Sequence, residues 1–296
     1  MKATAKAKKL QSLPVKESVN KPKYSYSKIN TYLTCPKKYF WAYEGEGPGL
    51  GLVPKVSSRN LRLGDVTHRL RALYFEEKLT KNSFKNLDLA VKKAFPELTE
   101  PEAYSIAFEA GRLVQAYINK YGNDSVKMLS PEVVLEWDAG PAILTTRLDG
   151  IAQTPDGRIW RDELKTAAKM DSMYLQGLKK GLQAGIAHVV MKNVLPQKPV
   201  GTIYTILVKT KEPQAERTMV LFERSLEDRT MQCVKGVHSR IIARDFYPSL
   251  NCFQYNRACD YSPLCRNDNP RTREEFFKVL DRTKPYDDKE LDFSEE

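Results

Sequence analysis

The 296-residue sequence predicts an α/β fold, a central mixed β-sheet flanked by helices, with a helical stretch inserted before the sheet. Three observations carry this expectation. Periodic segments follow the order helices, strands, helix, strands, helix. The strong turn signal Pro155-Asp156-Gly157 separates two strand-like runs, 142–154 and 158–166. Hydrophobic residues at 41% and aromatic residues at 10% suit a chain with a packed core rather than a disordered one.

Each element has a local reason. Residues 1–23 hold seven Lys and one Glu and read as a basic disordered tail. Ser27 is placed to cap a helix Lys28–Thr34, which Cys35-Pro36 interrupts before helix resumes at Lys37–Tyr43. The Gly- and Pro-rich stretch 44–60 reads as a loop. Leu63, Val66, Leu70 and Leu73 give Leu61–Leu79 an apolar helical face. Helices 84–95 and 102–121 follow, with Pro101 at the start and Gly122 at the stop of the second. Pro131–Trp137 alternates as a strand and the hairpin comes next. Ser172 caps a helix to Val194. Gly201–Lys209 and Thr218–Glu223 read as paired strands, and Ser225 opens an amphipathic helix to Asp245. Residues 246–265 are irregular, aromatic and Cys-rich, and 267–296 form an acidic tail. One domain, 24–266, is therefore expected between two tails.

The net charge of +11 points to a polyanionic partner, nucleic acid first, with plain solubilising charge as the alternative. No apolar run approaches the roughly 18–20 residues of a membrane span, so no membrane association is expected. The Lys-rich start has no apolar segment behind it and is not a secretory signal. Five Cys without such a signal imply a reducing compartment, where clustered cysteines serve more often as metal ligands than as disulfides.

The hairpin register carries the chemistry. A three-residue loop at 155–157 makes Thr154 face Arg158 and, counting back, Asp149 face Glu163. Opposed residues of an antiparallel pair have Cβ atoms roughly 4.5–5.5 Å apart, so the two carboxylates share one face at metal-binding distance. Lys165 lies on that face and Asp162 on the other. A one-residue slip would set Leu164 opposite Asp149 and break the arrangement. The stretch is either a metal-dependent phosphodiester site or an exposed charged hairpin. In the first reading magnesium or manganese neutralises developing charge, the Leu164 carbonyl adds a third oxygen ligand, and Lys165 orients or deprotonates the attacking water.

Three further groups bear on that choice. His68 lies one turn after Gly64 on its helix. As a ligand it would favour manganese; otherwise it is an ordinary half-buried histidine. Gln176, Lys179, Lys180 and Gln183 mark the helix 172–194, where an amide could position a phosphate oxygen or simply face solvent. Cys35, Cys252, Cys259 and Cys265 make a four-thiolate set suited to a [4Fe–4S] cluster or a structural zinc. Free buried thiols are the alternative, and the preferred account of Cys233.

Together these pieces resemble the PD-(D/E)XK nuclease superfamily, and within it the RecB-like branch with an iron–sulfur cluster: CRISPR-associated RecB-like exonucleases, the AddB nuclease domain and phage relatives. The resemblance spans 24–266. Tyr24–Phe40, with Cys35, resembles the first helix of that branch. Gly64-x-x-x-His68 resembles its helical His motif, Asp149 and Glu163-Leu-Lys165-Thr166 its catalytic core, Gln183 its glutamine motif, and Cys252, Cys259 and Cys265 its C-terminal cluster ligands. The resemblance implies a restriction-endonuclease-like sheet with a helical insertion and a Cys-rich lobe joining the N- and C-terminal segments. It implies Lys165, Glu163, Asp149 and Gln183 as catalytic residues, and His68, Asp149, Glu163 and the Leu164 carbonyl as ligands of Mn2+ or Mg2+. It implies Cys35, Cys252, Cys259 and Cys265 around a [4Fe–4S] cluster. The activity implied is a DNA exonuclease working on ends or single strands in recombination, repair or phage DNA processing. DNA and recombination or DNA-processing proteins are the implied partners, in the cytoplasm of a bacterial, archaeal or phage-infected cell. Two positions depart from the family pattern: Ala187 stands where a Tyr is usual, and six residues rather than two separate Cys252 from Cys259. A DNA-end-binding module whose motifs no longer turn over is the rival reading.

Overall fold

The computed structural model describes residues 21–47, 49–250, 252–254, 257–282, 291 and 293. In chain order the elements begin with β1 (Lys23–Tyr24), α1 (Tyr26–Thr34), α2 (Pro36–Tyr43) and β2 (Leu50–Pro54). The helices α3 (Arg59–Phe75), α4 (Lys81–Lys85), α5 (Leu87–Ala94) and α6 (Glu100–Tyr121) follow. Next come β3 (Lys127–Asp138), β4 (Ile143–Gln153), β5 (Ile159–Ala167), α7 (Ser172–Lys180), α8 (Leu182–Val194), β6 (Gly201–Val208) and β7 (Gln214–Leu221). The chain continues through α9 (Arg224–Ile242), β8 (Phe253–Gln254), β9 (Arg257–Ala258), α10 (Ser262–Arg266), α11 (Pro270–Phe276) and β10 (Phe277–Asp281).

These elements fall into two compact units. The first is 59–227 with 1–23 and 289–296; the second is 24–58 with 228–288. The stretch expected as one domain, 24–266, is thus divided between both.

The first unit contains the mixed sheet. Strand order is β1-β4-β5-β6-β7, with β3 on β4. β4 runs antiparallel to β3 and β5, β5 parallel to β6, and β6 antiparallel to β7. The parallel pair needs a crossover, which α7 and α8 supply. All eight residues of β6 are buried, as its near-continuous apolar run requires of a strand covered on both faces. On one face Leu164 and Leu207 join the apolar side of α3, α5 and α6. On the other, Ala167, Tyr204, Ile206 and Val208 pack against Tyr174, Leu175 and Leu178 of α7. The long helix α6 has reciprocal capping bonds between Thr99 and Glu102, Pro101 in its first turn, and Gly122 at its end. The mixed sheet flanked by helices is the fold the sequence predicts.

Local boundaries differ in instructive ways. The helix expected at 84–95 is two, α4 and α5, because Thr80 caps an earlier start and the chain turns at Asn86. The helix expected at 172–194 is also two: Gly181 is extended (φ −71°, ψ 139°), a break favoured by the low helix propensity of glycine. Its cap is Asp171, whose carboxylate accepts the Tyr174 N–H, rather than Ser172. Lys21 and Lys23, at the end of the basic tail, pair with Asp138 at 2.7 Å and Glu136 at 2.9 Å on β3. The rest of the tail, 1–20, lies outside the described residues.

In the second unit the cap of α1 is Ser25, two residues before the expected Ser27. Cys35 ends α1 and its sulfur caps α2, where Pro36 takes the first position. The loop expected at 44–60 contains β2, which pairs antiparallel with β10 from Phe277↔Pro54 to Asp281↔Leu50. The acidic tail expected from 267 therefore begins with a helix and a strand; 283–290, 292 and 294–296 lie outside the described residues. A Cβ on Gly51 would stand 1.9 Å from the Ala42 carbonyl oxygen, so β2 runs against α2 only because that residue is glycine. Trp41, Leu52, Tyr261, Leu264 and Phe277 form the core of this unit. Tyr32 donates to the Asp245 carbonyl at 2.7 Å, Trp41 Nε1 to Asp268 at 2.9 Å, and Tyr261 to the Leu52 carbonyl at 2.7 Å. Among the described residues no helix is long and apolar enough to cross a membrane.

Candidate active site

The β4–β5 turn closes as its sequence dictates. The Thr154 N–H donates to Arg158 O at 3.1 Å, the Gly157 N–H donates to Thr154 O at 2.8 Å, and Gly157 has φ +82°. The paired register, Gln153↔Ile159 through Gly150↔Asp162, places Asp149 opposite Glu163 at the next step. The ladder stops one step short of that pair. In the gap Asp149 Oδ2 accepts the Leu164 N–H at 2.7 Å, so a carboxylate replaces a backbone partner. On its other side Asp149 Oδ1 lies 2.9 Å from His68 Nδ1, on α3. A Cβ at Gly64 would meet nothing within 4 Å, so the helix is open one turn before His68.

Glu163 is 2% exposed and engaged twice. The Arg161 guanidinium meets Oε2, and Lys165 Nζ lies 2.5 Å from Oε1. Lys165 also donates to Gln183 Oε1 at 3.0 Å, which brings the second residue of α8 to the group. Asp162 points to the opposite face and pairs with the buried Arg71 at 2.6 Å. Leu164 is fully buried in the helical-side core, leaving only its backbone for polar contacts.

Burial works to raise the Asp149 pKa. The charge and hydrogen bond of His68, the charge of Arg71 and the Leu164 N–H outweigh it and hold the carboxyl well below the usual carboxylate range. Burial works to lower that of His68, and Asp149 reverses the balance, so the imidazole pKa is raised. This region therefore holds charge at neutral pH despite its burial.

Five of the sequence-derived residues, His68, Asp149, Glu163, Lys165 and Gln183, are joined through these contacts and the strand pairing. Among the described residues no three His, Cys, Asp or Glu side chains stand together as a ready metal cage. Instead each carboxylate is taken up by a donor of the protein itself. The chemistry of the donor set still fits a divalent cation: two carboxylates and an imidazole on adjacent elements, each held by a group that a cation would replace. Ala187 is fully buried on α8. Tyr174 of α7 lies within the field of Glu163: burial, and then that charge, raise its pKa.

The remaining histidines have ordinary roles. His188 lies against Phe222 at 4.0 Å between ring centroids, and His238 Nδ1 is 3.1 Å from the Tyr24 hydroxyl. The cysteines of interest all belong to the second unit. Cys35 Sγ accepts the Ser249 N–H at 3.4 Å, Cys252 donates to Ser249 O at 3.6 Å, and the Cys259 N–H donates to Cys252 O at 2.8 Å. Burial raises the Cys265 thiol pKa, and Cys35, Cys259 and Cys252 add to the rise. Cys233 stands apart from this group, half-buried on α9.

Sequence reading missed the cations that hold the carboxylates. Arg161 lies two residues before Glu163 and hence on the same strand face; Arg71 lies three after His68 and hence on the same helix face. Both spacings were legible. Glu132, opposite Asp149 on β3, carries φ +39° and is held by Arg69 at 3.0 Å and Arg147 at 3.4 Å. No sequence pattern marks that turn of the backbone. A cavity of about 290 Å³ borders Asp162, not Glu163, and is walled by Tyr74, Tyr117, Tyr121 and Arg217. The charge network and not the cavity marks the site, because only the former gathers acid, base and amide on one strand face.

Among solved structures, a candidate exonuclease from Eubacterium rectale is 14% identical, with 74% of this chain and 80% of that chain covered and a TM-score of 0.47. The protein SSO0001 is also 14% identical, with 72% and 82% covered and a TM-score of 0.32. No curated protein matches the sequence. The family model of the PD-(D/E)XK nuclease superfamily matches residues 23–266, a span holding every residue of the network described above. On that match, the chain belongs to the PD-(D/E)XK nuclease superfamily.

Proposed function

We propose that this nuclease is a metal-dependent DNA exonuclease of the RecB-like branch, acting on DNA ends or single strands. The observation that carries the reading is the junction where the β4–β5 ladder stops: Asp149 at its end, Glu163 and Lys165 beside it, and His68 against Asp149. His68, Asp149, Glu163 and the Leu164 carbonyl would hold Mn2+ or Mg2+. Bound there, the cation would neutralise charge on the scissile phosphate and lower the pKa of the attacking water. Lys165 orients the water in line with the leaving oxygen and donates to the developing phosphate charge. Gln183 fixes Lys165 through its side-chain oxygen. Arg161 pairs with the buried Glu163 and offsets its charge.

In this reading 24–266 is the nuclease domain, and the cysteines Cys35, Cys252, Cys259 and Cys265 hold a [4Fe–4S] cluster with a structural role. The basic N-terminus adds nonspecific attraction to DNA, and recombination or DNA-processing proteins of a bacterial, archaeal or phage-infected cytoplasm are the expected partners. Cleavage of end-labelled single-stranded and duplex DNA with manganese is the test. Activity that needs a free end, disappears in EDTA and is lost in Lys165→Ala is expected. Metal-independent binding without cleavage would instead identify an end-binding module.

A further inference from the structure

We propose that the exposed face of α6 is a stacking platform for single-stranded nucleic acid that leads to the active site. Tyr104 and Phe108 lie one helical turn apart, 60% and 56% exposed. Their rings are parallel within 14°, with centroids 6.2 Å apart. One turn further, the Arg112 guanidinium stands 5.6 Å from the Phe108 centroid. Two large aromatic faces and a cation thus line one stripe of a solvent-facing helix. The combination suits bases that stack and a backbone that is anionic.

Charges of both signs surround the stripe, and its cation is Arg112. Arg112 also donates to the Lys211 carbonyl in the β6–β7 turn, and Lys209 of that turn donates to Asn60 at 3.0 Å. Arg59 reaches Ser105 Oγ at 2.9 Å and Glu109 at 2.8 Å. Nearby carboxylates are occupied: Glu109 by Arg59, and Glu102 by the cap of α6. Glu100, at the helix start, and Glu212, in the β6–β7 turn, also lie on this surface. Arg59 opens the helix that carries His68, and nine residues at 1.5 Å each put them roughly 14 Å apart along its axis. A strand leaving the stack beside Arg59 therefore has a short path along α3. Duplex DNA presents no free base faces to such a stack, so the chemistry selects unpaired bases. The choice of a DNA strand as occupant rests on the nuclease reading above; the stacking geometry does not.

The test uses the full chain in EDTA and a labelled oligothymidine about 16 nucleotides long. The double variant Tyr104→Ala/Phe108→Ala should bind roughly 10- to 100-fold more weakly by anisotropy, with duplex binding changed much less. Phe108→Trp should bind as the parent does and show quenching of the new indole when the strand is added. Unchanged binding by a folded double variant, equal loss for duplex, or no quenching would each overturn the platform. Binding is read without turnover, so a chain that binds through these rings but never cleaves defeats the exonuclease reading alone. One that cleaves with unchanged single-strand affinity in the double variant defeats the platform alone.

Discussion

In the first unit the reactive groups are placed by the backbone: a turn sets the register, the register sets Asp149 against Glu163, His68 and the Leu164 N–H hold Asp149, and Arg161 and Lys165 hold Glu163. In the second, side chains place the cysteines. Short elements from 24–58 and 228–282 are joined by Tyr32, Trp41 and Tyr261 reaching across the sequence, and by a five-residue strand pair. The first arrangement is complete without any ligand because its charges are already paired internally. The second has less backbone ladder to rely on, so a clasp between Cys35 and the later cysteines would contribute more. The contrast teaches that one chain can position reactive groups in two ways, by backbone register in one unit and by side chains reaching across the sequence in the other.

Breaking the comparison at its chemical side gives the largest effect. Lys165→Ala should cut the cleavage rate by about 10²- to 10⁴-fold while leaving the melting temperature near that of the parent. A large fall in melting temperature would mean that the lysine is structural. Arg71→Met tests the buried scaffold of the same unit. It leaves Asp162 buried without its partner and should cost about 3–5 kcal/mol by denaturant titration, with Asp162→Leu in the same chain recovering much of the loss. On the other unit, the proposed cluster predicts that the purified protein carries iron, that Cys265→Ser loses it, and that this variant is less stable by a few kcal/mol, on the order expected for losing a long loop closure. Cys233→Ser should leave iron content and stability unchanged, and equal effects of the two would sink the clasp. Smallest is Gln183→Ala, which removes one hydrogen bond to Lys165. It should lower kcat by about 5- to 10-fold with little change in KM, as loss of about 1 kcal/mol of positioning implies.

The hairpin was legible because a side-chain period of two and a fixed loop length leave a single register, and Asp162 was correctly set aside on the same ground. The sheet and the helical face of Leu63, Val66 and Leu70 followed from local pattern alone. What stayed hidden was non-local. β2 has its partner at 277–281, so 50–54 shows no strand character to a local reading. The pairing of Glu163 with Arg161 and Lys165 depends on rotamers inside a buried site, although the spacing i, i+2 permits it. The cysteine set was visible as four residues. Its arrangement was not, since the elements around the three later cysteines are only two to five residues long and carry little periodic signal.

The pairing of β2 with β10 also sets an order of events during synthesis. The stretch 59–227 leaves the ribosome as one continuous run, and the sheet that carries the carboxylates lies almost wholly within it. The second unit waits. Its first segment, 24–58, is made early, but Phe277 must be translated before it can meet Pro54. At about 5–20 residues per second, the roughly 220 residues between the two strands take on the order of 10–45 seconds to make, long enough for the site-bearing sheet to fold ahead of the second unit.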